Sequence, residues 1–112
     1  ATVGQVKDSI GILKQKKLSL SLAKRQAELE VKQSYEGWRF SRERHLAMKE
    51  AVALAEEDYK LQSDEYRRNL VSNLDVLTSL RSLNETSRDA NEAFYQMKQD
   101  EARLKVAIGE VS

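Results

Sequence analysis

At 112 residues, with no proline, no cysteine and a third of its positions charged, the chain is at most one small domain. Its composition is that of long solvated helices, not of a globule with a thick core. The missing cysteine excludes a disulfide scaffold and thiol chemistry, and a formal net charge of +1 argues neither for nucleic acid nor for an acidic partner.

No apolar run approaches the ~18–20 residues needed to span a bilayer, and no signal peptide is evident. A start at Ala1 without methionine fits a mature protein or an excised piece. Residues 1–17 carry Gly4, Gly11 and a local excess of lysine, with Val6, Ile10 and Leu13 forming a weak helical stripe. Helix is therefore expected from about residue 6. From Leu18 to Arg68 only Gly37 opposes it, at roughly 1 kcal/mol relative to alanine.

Within that rod Trp38, His45, Val52, Tyr59 and Tyr66 recur every seven residues. A second series, Phe40, Ala47, Leu54 and Leu61, keeps the period but is displaced by two positions, or about 200° of rotation. A simple two-stranded coil has one apolar seam, whereas two opposed series call for a neighbour on each side, as in the staves of a closed helical barrel or the inner members of a large bundle. A broad core-facing stripe with some exposed aliphatics is the alternative. A sustained period of seven also implies left-handed supercoiling.

The stretch from Tyr66 to Leu77 reads as one helix stopping and another starting. Asn69 tolerates the left-handed backbone that follows a helix C-terminus. Arg67 and Arg68 suit the negative end of the helix dipole. Ser72 and Asp75 form an S-x-x-D capping box just before an apolar run. A tip of about residues 69–72 forces the helices antiparallel. The second helix is expected over about 73–108, with Gly109 as its stop. Val76, Leu83, Ala90, Met97, Leu104 and Val111 supply one seven-residue series. Leu80, Ser87, Phe94 and Ile108 supply its partner, with Glu101 interrupting. The expected fold is thus all-α, a single long antiparallel helical hairpin with coiled-coil packing. Counted back from the tip, the second helix ends beside residues near 30. Leu18, Leu20, Leu22 and Leu29 then need a partner from outside, and self-association is the expected result.

Taken together, the run AELEVKQSYEGW from Ala27, AVALAEEDYKL at 51–61, the tip YRRNLVSNLDVL and the closing LKVAIGEV resemble the TolC-type outer membrane efflux proteins. That family shows an alanine-rich helix, then Y-x-x-G-x-x-S/T-x-x-D-V-L, then a helix ending near A-x-G. The likeness covers most of the chain from about residue 27 onward.

It implies one repeat's hairpin from a trimeric α-barrel that crosses the periplasm below an outer-membrane β-barrel. No alternating strand pair is present here, so any membrane contact runs through a barrel missing from this chain. The resemblance makes Arg68, Asn69, Leu70, Val71 and Ser72 the surface that docks the periplasmic adaptor of a tripartite pump. Asp75 and Tyr66 would line and close the pore constriction. Asn69 replaces the family's usual glycine, which keeps left-handed backbone accessible. Thr78 and Val71 stand where the family has a second constriction acid and a tip arginine, which puts charge-based gating in doubt.

Plainer roles compete at each position. Asp75 needs no role beyond capping, and His45 is expected to be a packing residue. Tyr35, Trp38, Tyr59 and Tyr66 are expected to fill helix interfaces. The cluster Lys14, Gln15, Lys16 and Lys17 reads as a solvated face, since it lacks the interleaved aromatics of a nucleic-acid site. No paired histidines, phosphate loop or H-e-x-x-H pattern supports catalysis, and no cofactor or metal is expected. The rival to the channel reading is a structural coiled-coil hairpin from a periplasmic adaptor or a scaffold.

Overall fold

A computed structural model describes residues 2–111, and Val111 only in its backbone. Two helices account for nearly all of it: α1 over Val3–Arg67 and α2 over Asn73–Val111. They lie antiparallel as a hairpin measuring 99 × 20 × 13 Å. Its radius of gyration is 27.5 Å, about twice the ~13 Å of a globular chain this long.

Helix α1 starts at Val3, earlier than residue 6. Thr2 and Gln5 form a reciprocal capping box: the Gln5 N–H donates to Thr2 Oγ1 and the Thr2 N–H to Gln5 Oε1, both at 3.3 Å. At the other end α2 does not stop at Gly109 but continues to Val111. A glycine stop requires the left-handed backbone, and none of the glycines adopts positive φ.

The two helices meet along a seam that follows the period of seven. On α1 the least accessible positions are Ala27, Val31, Ser34, Trp38, Ser41, His45, Met48, Val52, Ala55, Tyr59 and Gln62, at alternating steps of three and four. Val76, Leu83, Ala90, Met97 and Leu104 face them from α2 as expected. Their partner series differs from the expected one. The innermost positions are Ser79, Ala93, Asp100 and Ala107, with Thr86 half-buried in the same register. Leu80 and Ser87 are half-buried, Phe94 is 37% exposed with its ring against His45, and Ile108 faces solvent. The most buried positions of α2 carry serine, alanine and aspartate, and the first two are small enough to let the backbones approach closely.

Among the described residues only Ala93 and Ala107 are buried apolar residues, so the hairpin has a zip and no thick core. The chain exposes 9081 Å², whereas a compact monomer of 12.8 kDa exposes about 6,300 Å². The rod shape accounts for the excess, and two stretches of the exposed surface are notable. The second α1 series lies open, with Phe40, Leu54 and Leu61 between 53% and 71% exposed. In addition, every residue of α1 before Ala27 is exposed, since α2 ends beside Glu30, Gln33 and Ser34. A two-flanked rod is therefore present, with one flank covered and the other bare.

Candidate functional site: the hairpin tip

The bend is held by backbone hydrogen bonds on one side and a side-chain cap on the other. The Leu70 N–H donates to the Glu65 carbonyl at 2.9 Å and the Asn69 N–H to the Tyr66 carbonyl at 3.0 Å. These nested bonds are the Schellman closure, and they require a left-handed residue at Asn69, whose φ is 62°. Asparagine meets that requirement at modest cost because its short amide is compatible with this backbone region. The Arg68 guanidinium lies 3.5 Å from Asp64, an exposed pair that adds little stability.

Across the bend Ser72 and Asp75 cap α2 reciprocally. The Asp75 N–H donates to Ser72 Oγ at 3.3 Å, while Asp75 Oδ2 accepts from the Ser72 N–H and hydroxyl, each at 3.0 Å. Asp75 also places a negative charge in the first turn of α2, where the dipole favours it. Asp75 is thus engaged in the cap while remaining on the exposed surface of the tip.

The seven residues singled out by sequence occupy one end of the rod. Arg68, Asn69, Leu70 and Ser72 are exposed, Val71 is half-buried, and Tyr66 is 46% exposed although it belongs to the seam series. Two further residues escaped that reading. Leu74 and Leu77 are exposed beside Leu70 in the chain, giving the tip three bare leucines. Their one-turn spacing after the Ser72 cap was the available signal.

The other notable polar group lies mid-rod. Buried Ser41 donates its hydroxyl to Asp100 Oδ2 across the helix pair. Gln96 Nε2 donates to Asp100 Oδ1 at 3.2 Å. The Arg103 guanidinium stands 3.8 Å from the same oxygen. Sequence reasoning missed this cross-link because it looked for apolar partners in the seam. His45 packs its ring 5.4 Å from Phe94, and its buried Nδ1 has no hydrogen-bond partner. Trp38 sits 6.1 Å from Tyr35, with the Arg42 guanidinium 5.9 Å from its ring. Among the described residues no three acids or histidines cluster as a metal site would need. No helix of the described chain is long and apolar enough to cross a membrane.

Comparison with protein-family models, curated proteins and solved structures gives no match for this chain.

Proposed function

We propose that this hairpin is a stave of an oligomeric α-helical conduit, the periplasmic part of an outer membrane efflux or secretion channel of TolC type. One observation carries the reading: a long seven-residue-periodic rod has a second apolar flank left bare after its own partner helix is in place. Neighbouring hairpins would cover Phe40, Leu54 and Leu61. Substrates would pass through the lumen so enclosed, and the chain itself would act passively, without catalysis or cofactor.

The tip is then the docking end. Its capped bend presents Arg68, Asn69, Leu70, Val71 and Ser72 on a backbone fixed from both sides, which limits the entropy lost on binding an adaptor. Asp75 and Tyr66 stand at the same end and would border the constriction.

The test uses a complete channel subunit carrying this hairpin. Replacing Leu70 and Val71 together by alanine should weaken adaptor co-purification about tenfold, which corresponds to ~1.4 kcal/mol. Helical content should stay unchanged, because Leu70 contributes to the bend through its backbone N–H. Undiminished pump assembly would remove the docking role.

A further inference from the structure

The two outer sides of the hairpin carry opposite charge. On the side of α1 turned away from the seam, Glu36, Glu43, Glu50, Glu57 and Asp64 recur every seven residues, all exposed. Phe40, Ala47, Leu54 and Leu61 each follow one of these acids by four positions. The bare apolar line therefore runs beside a ladder of carboxylates with rungs about 10.5 Å apart. Neither series contains a cation. On the outer side of α2, Arg81 and Arg88, then Lys98 and Lys105, stand exposed at steps of seven, with Leu77 and Tyr95 bare on the same line. Steps of four and three from Leu77 to Lys105 meet no acid.

The hairpin fixes how high these charges stand. Ser41 bonds Asp100 across the seam, and in an antiparallel pair each step up one helix is a step down the other. Lys98 is therefore level with Glu43, and Lys105 with Glu36. Arg88 falls between the levels of Glu50 and Glu57, and Arg81 between those of Glu57 and Asp64. Copies related by rotation about an axis along the rod all stand at one height. The α2 of a neighbour thus offers its cations to the α1 ladder without any axial shift. Like faces pair badly, since α1 against α1 opposes two acidic ladders and α2 against α2 opposes two basic lines. Within the hairpin Arg39 lies 3.5 Å from Glu43, while Lys98 and Lys105 lie 3.6 and 3.4 Å from Glu101. These are exposed pairs along one helix, weak enough to be exchanged for contacts to a neighbour.

We infer that the acidic ladder of α1 and the basic line of α2 are the specificity determinants of self-assembly: they select α2 of a second copy to cover the bare α1 flank, and they hold the two hairpins at equal height. This rests on the conduit reading, which requires some neighbour on that flank, and it adds which helix that neighbour supplies and which residues set its register.

The test exchanges charges in the full chain and reads self-association by sedimentation equilibrium, with circular dichroism checking that helicity is unchanged. Glu36→Lys with Glu43→Lys should weaken association at least about tenfold, as should Lys98→Glu with Lys105→Glu. All four substitutions in one chain should restore it to within about threefold of the parent, because the level pairs have only traded signs. At about 1 M salt, where the Debye length falls to ~3 Å, the parent and the variants should converge. A contact of α1 with α1 would leave the four-residue variant no tighter than Glu36→Lys with Glu43→Lys, which would overturn the inference. Association indifferent to every exchange would also overturn it while leaving the conduit reading in place. A parent chain that stays monomeric at millimolar concentration would overturn both.

Discussion

Asn69 shows how much one backbone angle decides. Its φ of 62° lets the Leu70 and Asn69 amides reach back to carbonyls in the last turn of α1, and the chain reverses within a few residues. A β-branched residue meets a steric cost of roughly 1–2 kcal/mol in that region, whereas glycine meets none. Asn69→Val should therefore lower the urea midpoint, followed by circular dichroism, by about that energy. Asn69→Gly should leave it within roughly 0.5 kcal/mol of the parent. An unchanged midpoint for the valine variant would show that the bend does not depend on this angle. Arg68 and Asp64, by contrast, form an ion pair on the outside, where solvent screens most of its effect.

At the scale of the elements, the α1 side of the seam carries the large rings of Trp38, His45 and Tyr59, while the innermost positions of α2 carry serine, alanine and aspartate. Aliphatic packing can slide by a heptad because each layer resembles the next. Ser41 and Asp100 cannot, since the buried carboxylate would lose its hydroxyl donor in any other register. Ser41→Ala should cost about 1–3 kcal/mol by leaving Asp100 short of a partner. Adding Asp100→Leu should recover much of that loss while admitting shifted pairings, visible as multiple distances in spin-label measurements across the helices. Strict additivity of the two substitutions would show that the pair is not coupled. The sequence made one of the α2 series legible because its members are apolar. It hid the other because small and polar residues carry no hydrophobic signal, and only the approach of two backbones makes them the inside.

For the whole molecule, the excess surface sets the terms. About 2,800 Å² beyond a compact monomer is exposed, and the line of Phe40, Leu54 and Leu61 is part of it. Association through the bare α1 flank should therefore be measurable. Leu54→Asn with Leu61→Asn, both outside the seam, should shift light-scattering mass toward monomer with helicity unchanged. A parent chain that stays monomeric at millimolar concentration would deny that flank a role in self-assembly.

Determined by the sequence alone were the helices, the antiparallel reversal and the existence of two apolar lines on α1, since each follows from local rules: propensity, caps and period. The start at Val3 was equally local, written in the Thr2 and Gln5 box, although a stripe search passes over it. Tertiary structure alone decided which α2 side chains lie innermost and that Asp100 is buried opposite Ser41. Those outcomes depend on how closely two helices approach, a distance fixed jointly by residues some sixty positions apart and therefore invisible to any reading that takes one helix at a time.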